Sequence, residues 1–76
     1  MRTFKAKLEA AVDEGPWIEI ASGTFEPGAA APLDIRGEAY PGAVTDDFIE
    51  EHKEPQDSGS WDTVCGTVKY RVSWGA

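Results

Sequence analysis

Apolar and polar residues alternate along the C-terminal part of the chain, and this alternation predicts its clearest β-strand. From Thr63 to Trp74 the even positions are mostly apolar, the odd positions are mostly polar, and β-branched and aromatic residues are frequent. Gly66 interrupts the apolar series, and a glycine inside a strand is typical of a bulge or of a close backbone approach. We therefore expect one strand with its apolar face in the core and Cys65 on the opposite face.

The N-terminal segment fits two periodicities. The residues from Phe4 to Ala10 alternate between apolar and polar as in a strand, whereas Phe4, Leu8 and Val12 also have helical spacing. A helix here would carry two lysines in its first turn and two acids in its last, the reverse of the order that the helix dipole favours. The charge order therefore favours a strand over a helix, and both remain open.

A second strand is predicted from Trp17 to Phe25, after a turn at residues 13–16 that contains glycine and proline. Strand alternation would place Ile18 and Ile20 on one face and Ala21 on the other. The two predicted strands are close enough in sequence to form a hairpin.

Two Pro-Gly pairs punctuate the middle of the chain. Pro27-Gly28 and Pro41-Gly42 each put a residue with a fixed φ before one that tolerates a positive φ, which is typical of a type II turn. Between them, an alanine and proline loop leads into Leu33 to Arg36, which predicts a short edge strand.

The acidic segment that follows predicts a two-turn helix from about residue 46 to 53. Thr45 is a suitable N-cap, the next two aspartates complement the positive end of the helix dipole, and Lys53 falls in the last turn before Glu54-Pro55. Phe48, Ile49 and His52 would form the packed stripe. The opposite face would carry a row of carboxylates from Asp47, Glu50, Glu51 and Glu54.

Together these elements predict an α+β or mainly β fold, with an antiparallel sheet of about four strands and one short acidic helix packed on it or beside it. At 76 residues the chain is expected to form a single domain, residues 1–76, with a modest core. Its one cysteine leaves no intramolecular disulfide, and no apolar run is long enough to cross a bilayer. We expect a cytoplasmic protein without a membrane partner.

Charge is distributed unevenly along the chain. The formal net charge is −7, and the segment from Asp46 to Asp62 holds seven acids against Lys53 alone. Such a field repels nucleic acid and accelerates encounter with a basic protein surface. A modest basic patch is expected only if the first and last strands are neighbours, which would bring four bases to one face: Lys5, Lys7, Lys69 and Arg71.

No arrangement typical of catalysis is present. His52 has no cysteine or serine nearby in a nucleophile setting, and Ser58-Gly59-Ser60 lacks the strand-to-helix context of a hydrolase nucleophile. The glycines are dispersed among turns and do not form a phosphate-binding loop. We expect no enzymatic activity, no cofactor and no bound metal.

The residues around the first Pro-Gly turn, from Gly23 through Pro32, resemble a pattern found in small phage and prophage proteins. In that pattern a β-hairpin is followed by a Pro-Gly turn, an Ala/Pro loop and an acidic helical stretch. The resemblance covers about half of the chain and implies a phage accessory protein. Small acidic members of that group include inhibitors of host defence, among them anti-CRISPR proteins. No functional residue is carried over, because no defined motif is matched.

The charge and the resemblance predict an inhibitor, located in the host cytoplasm, that mimics nucleic acid. It would bind a basic nucleic-acid-binding surface of a host defence complex and act by occlusion, with Trp61 or Phe48 as an apolar anchor. The predicted partner-binding residues are Asp46, Asp47, Glu50, Glu51, Glu54, Asp57, Trp61 and Asp62. The alternative is a phage virion or assembly component that makes homomeric contacts and forms a homo-oligomer.

Overall fold

The computed structural model describes residues 3–54 and 57–75, which form one antiparallel sheet with a helix on one face. The elements in chain order are β1 (Phe4–Val12), β2 (Ile18–Phe25), β3 (Leu33–Gly37), α1 (Gly42–Glu51), β4 (Gly59–Cys65) and β5 (Val68–Gly75). The strand order in the sheet is β3-β2-β1-β5-β4. The predicted α+β, mainly β class is confirmed, with five strands in place of about four.

The N-terminal segment is a strand, and it lies at the centre of the sheet. β1 pairs with β2 on one side and with β5 on the other. Phe4, Ala6 and Leu8 are buried, whereas Lys5 and Lys7 between them are exposed. The alternation therefore describes this segment correctly, and its helical spacing has no structural counterpart.

The turn between β1 and β2 has an uncommon backbone. Gly15 N–H donates to the carbonyl of Val12 at 2.8 Å, and the two residues between them, Asp13 and Glu14, have φ of 47° and 62°. Positive φ at both central residues is the signature of a type I′ turn, whose twist matches that of the flanking strands. The tight turn between β1 and β2 thus requires two non-glycine residues to adopt a left-handed backbone conformation.

A bulge in β2 makes the predicted faces of this strand wrong. Leu8 pairs with Ala21 and Glu9 with Glu19, so β2 has one extra residue, Ile20, at this point. Because the bulge shifts the alternation, Ala21 shares the core face and is buried, while Ile18 is 61% exposed.

The predicted C-terminal strand is a hairpin of two strands. Gly66 has φ +67° and starts a two-residue loop between Cys65 and Val68, which pair across the hairpin. Glycine at the first central position suits a type II′ turn. The prediction for Cys65 is wrong, because it shares the core-side face with Val68, although it is exposed at the end of the edge strand β4. Val64 faces the other side and is 64% exposed.

One of the two predicted Pro-Gly turns is confirmed. Gly28 has φ +86°, and Ala29 N–H donates to the Glu26 carbonyl at 3.2 Å across the turn. The prediction for Pro41-Gly42 is wrong, because Pro41 is the extended N-cap residue of α1 and the following glycine is its first residue. The short edge strand is confirmed as β3.

The helix starts four residues earlier than predicted and ends at Glu51. Thr45 lies within its first turn, where its hydroxyl donates to the Gly42 carbonyl at 3.0 Å, so Thr45 is not the N-cap. His52 is the C-cap residue, and Lys53 therefore lies outside the helix. The first turn holds no acid and the last holds no base, so the predicted complement to the helix dipole is absent. Pro55, the predicted helix stop, lies outside the described residues.

The core lies between α1 and the sheet and is strongly aromatic. Phe48 of α1 is fully buried, with ring centroids 4.9 Å from Phe25 and 5.5 Å from Trp74. Both contacts have edge-to-face geometry, which stabilises an aromatic pair by more than the burial of its surface alone. Val44, one turn earlier in the helix, is 2% exposed. These two residues fix the helix on the sheet.

Candidate functional site

The exposed side of α1 carries four carboxylates. Asp46, Asp47, Glu50 and Glu51 are all exposed. With about 100° between successive residues, the four side chains leave the helix within an arc of about 140°. Val44 and Phe48 leave it outside this arc, into the core. We call these four acids the helix carboxylates.

The C-terminal end of α1 is held by stacked rings. The imidazole of His52 stacks on Phe48 at 4.4 Å between centroids with an interplanar angle of 20°, and it meets Trp74 edge to face at 4.9 Å. Its Nδ1 lies 2.7 Å from the Phe48 carbonyl oxygen, one of the carbonyls that a helix end leaves without an intrahelical partner. The predicted stripe of Phe48, Ile49 and His52 is thus confirmed as the packed side of the helix.

Trp61 connects the helix carboxylates to the sheet. Its indole Nε1–H donates to Oε2 of Glu51 at 3.1 Å, and its ring meets Phe48 edge to face at 5.7 Å. The tryptophan is only half-buried, so part of its ring borders the exposed face of the helix. Trp61 can therefore serve as the predicted apolar anchor. Phe48 cannot, because its side chain is fully buried.

The predicted carboxylate row is shorter than its spacing indicated. Glu54 is exposed but lies beyond the helix end, so it does not continue the row from Glu50 and Glu51. Asp57 is also exposed and lies outside the helix. Lys53 forms an exposed ion pair with Glu50 at 3.4 Å, and such surface pairs contribute little.

Asp62 lies on the other face of the sheet from the helix. Its neighbour Trp61 points towards the helix, and successive strand residues point to opposite faces. The Asp62 carboxylate accepts a hydrogen bond from Nε of Arg71 at 3.0 Å, and the Arg71 guanidinium lies 4.1 Å from the ring centre of Trp17. Asp62 is therefore part of a cross-strand cluster and does not share a surface with the helix carboxylates.

The predicted basic patch forms on this outer face because β1 and β5 are neighbours. Lys5 and Lys7 border a shallow cavity of about 700 Å³, together with hydroxyls of Ser22, Thr24 and Ser73. Glu9 and Glu19, which pair across β1 and β2, interrupt the positive charge.

Sequence reasoning missed a second surface at the hairpin end of the sheet. Val12 and Ile18 are 57% and 61% exposed, and they line a groove of about 370 Å³ with Val68 and Tyr70. The alternation of β1 places Val12 on the core-side face, but the sequence does not show that the helix leaves this end of the face uncovered, and the bulge hides the position of Ile18. Only the exposed apolar ends of both strands could have indicated the groove. We call it the hairpin groove.

Within residues 3–54 and 57–75, no group of three metal-ligating side chains is close enough to hold an ion, and no helix could span a membrane. Comparisons with protein-family models, with curated proteins and with solved structures found no match. The candidate site is therefore defined by its own geometry and charge.

Proposed function

We propose that this protein is a non-enzymatic inhibitor that occupies a basic, nucleic-acid-binding surface of a host complex and excludes nucleic acid from it. The observation that carries the proposal is the set of helix carboxylates, displayed on a helix that is fixed to the sheet by Phe48 and Val44. A fixed helix presents its charges without the entropy cost of ordering a flexible segment on binding.

The charge density of the helix carboxylates is similar to that of nucleic acid. From Asp46 to Glu51 the helix rises about 7.5 Å, which gives one carboxylate for about every 1.9 Å of axis. Double-stranded DNA carries one charge for about every 1.7 Å of axis. A surface of lysines and arginines arranged for phosphates therefore meets a comparable density of acceptor oxygens.

Trp61 supports the proposal with an apolar contact beside the charges. Tryptophan is enriched among the residues that dominate interface energies, and a half-buried ring loses little conformational freedom on binding. Its hydrogen bond to Glu51 fixes one carboxylate next to the ring. Charge would then accelerate encounter, and the indole would slow dissociation.

The resemblance to phage accessory proteins extends the proposal to the identity of the partner. A host defence complex that binds nucleic acid, an anti-CRISPR target among them, offers the required basic groove. The inhibitor would act in the host cytoplasm by occlusion, so it requires no catalytic residue.

A displacement assay tests the proposal. The host complex captured by the immobilised protein is purified, and its nucleic acid is followed by a mobility-shift assay as increasing amounts of the protein are added. Wild type should displace the nucleic acid, and displacement should weaken as salt rises. Glu50→Lys combined with Glu51→Lys should abolish displacement, because these changes reverse half of the helix carboxylates.

A matched control separates the helix face from net charge. Glu19→Lys with Asp34→Lys makes the same charge change at two exposed positions of the outer sheet face. This variant should retain most of the displacement. Equal loss in both variants, or displacement by the Glu50→Lys/Glu51→Lys protein at wild-type level, would refute the role of the helix.

A further inference from the structure

The hairpin groove is the part of the core-side sheet face that α1 leaves uncovered. The helix packs over the opposite end, where Phe25 and Trp74 lie. At the hairpin end, Ala10 pairs with both Ile18 and Tyr70, and Val12 pairs with Val68. These side chains therefore form a continuous apolar floor, with Tyr70 buried at its base and the two β1–β2 residues exposed at its rim.

Acidic residues line the hairpin groove and form the turn beside it. Among the described residues, Glu38 is the only charged one that lines it. Asp13 and Glu14 form the turn that joins two lining residues, Val12 and Gly15. Lys69 is near in sequence but belongs to the outer face, where it pairs with Ala11 and Val64.

We propose that the hairpin groove binds a peptide segment of a partner protein in which apolar side chains are flanked by lysine or arginine. The groove, at about 370 Å³, lies near the lower end of the range for ligand sites and suits one or two apolar side chains. The acids of the groove and of the adjacent turn complement basic residues that flank the apolar side chains of the peptide.

Charge also decides against a second copy of this chain as the occupant. Two copies facing each other across the groove would bring Asp13, Glu14 and Glu38 of both chains together. Like charges placed opposite one another at an interface are strongly unfavourable. A basic segment removes this repulsion, and a copy of this chain does not.

The backbone of the β1–β2 turn supports the role of the rim. Asparagine, aspartate and glycine are the favoured residues of a type I′ turn, because both central residues need a positive φ. Asp13, at φ 47°, fits this preference, whereas Glu14, at φ 62°, is an uncommon residue there. The turn therefore holds a second acid next to Gly15, a residue that lines the groove.

This site is separate from the helix carboxylates and extends the proposed function. No residue of the groove belongs to the helix, so a variant of one surface leaves the other unchanged. A failure of either proposal can therefore be distinguished from a failure of the other.

Fluorescence polarisation with a defined probe tests the inference. The probe is a short fluorescein-labelled peptide in which lysine alternates with leucine around one tryptophan. Val12→Thr combined with Ile18→Thr should weaken its binding by about tenfold or more. Both residues are largely exposed, so these changes preserve the fold. Val64→Thr, at an equally exposed valine of the outer face, should leave the affinity unchanged.

A second pair of variants separates the rim from overall charge. Asp13→Asn with Glu14→Gln should weaken binding and reduce its dependence on salt. Glu19→Gln with Asp34→Asn changes the net charge equally at two exposed positions of the outer sheet face and should have little effect. Several results would overturn the inference: no binding of the probe, equal binding of a probe with glutamate in place of lysine, or equal weakening by the outer-face pair. A dimer in light scattering that the Val12→Thr/Ile18→Thr protein no longer forms would assign the groove to a second copy instead.

Discussion

At the scale of single residues, two glycines determine how closely β2 and β3 approach. A Cβ atom on Gly23 would overlap the backbone oxygen of Asp34 and lie 3.0 Å from the Cα of Ile35. One on Gly37 would overlap the backbone oxygen of Ile20. Both obstacles are backbone atoms, which cannot rotate away as side chains do. The pairing of the edge strand β3 with β2 therefore depends on glycine at positions 23 and 37.

Gly23→Ala should lower the free energy of unfolding by about 1–3 kcal/mol, the usual cost of inserting a methyl group into a packed region. Gly42→Ala is the matched control. Nothing lies within 4 Å of a Cβ at that position, and alanine favours the helix that begins there. Urea denaturation measures both, and wild-type stability of Gly23→Ala would contradict the close approach.

At the scale of elements, the β1–β2 hairpin combines strain at its turn with a bulge in β2. Glu14 adopts a backbone that glycine adopts at lower cost, whereas Asp13 suits the first position of this turn. The bulge at Ile20 brings Ala21 into the core and turns Ile18 towards the hairpin groove. The hairpin therefore shapes the groove at the expense of its own stability.

Asp13→Asn combined with Glu14→Gly should raise the free energy of unfolding by about 0.5–1 kcal/mol, because these residues relieve the positive-φ strain. Glu19→Gly, the same kind of replacement within β2, should lower it. Thermal denaturation compares the two proteins. If the turn variant melts below wild type, the two carboxylates stabilise the turn and the strain argument is wrong.

Sequence reasoning succeeded where local pattern and tertiary environment agree. Residues close together in the chain were enough to predict three features: the alternation of β1, the turn at Gly28 and the packed side of the helix at Phe48. It failed at Gly66 because apolar alternation continues in step across a two-residue turn, so that a hairpin has the pattern of one long strand. The helix start was missed because Pro41 acts as N-cap without any side-chain hydrogen bond.

The candidate site was predicted in part. The helix carboxylates lie together because of their helical spacing. Trp61 lies beside them because its indole donates a hydrogen bond to Glu51, ten residues earlier in the chain. Asp62 was grouped with them by its position in the sequence, but strand alternation sends it to the other face. Clustering along the chain cannot distinguish the faces of an edge strand unless its register is known.

At the scale of the whole molecule, the helix side of the sheet is the more acidic side. It carries the helix carboxylates, whereas on the outer face acids such as Glu9, Glu19 and Asp34 balance Lys5, Lys7 and Lys69. With a net charge of −7, mutual repulsion among the acids opposes the compact state. The acidic surface thus reduces the stability of the protein.

Added salt should therefore stabilise the protein. Raising the ionic strength from about 0.01 M to 0.15 M shortens the Debye length from about 30 Å to 8 Å and screens the acids from one another. We expect the melting temperature to rise by a few degrees. Glu50→Gln with Glu51→Gln should melt higher than wild type at low salt and respond less to salt. A melting temperature that falls with salt would show that ion pairs such as Arg71 with Asp62 outweigh the repulsion.

The central position of β1 also determines the order in which the protein can assemble. Its pairing with β5 joins Lys5 to Gly75, so the middle of the sheet depends on the longest loop closure in the fold. During synthesis, the β1–β2–β3 meander emerges first and exposes Phe4, Leu8 and Phe25, which only later meet the helix and β5. We therefore expect slow folding for so small a chain, with the nascent meander as the species most prone to aggregate.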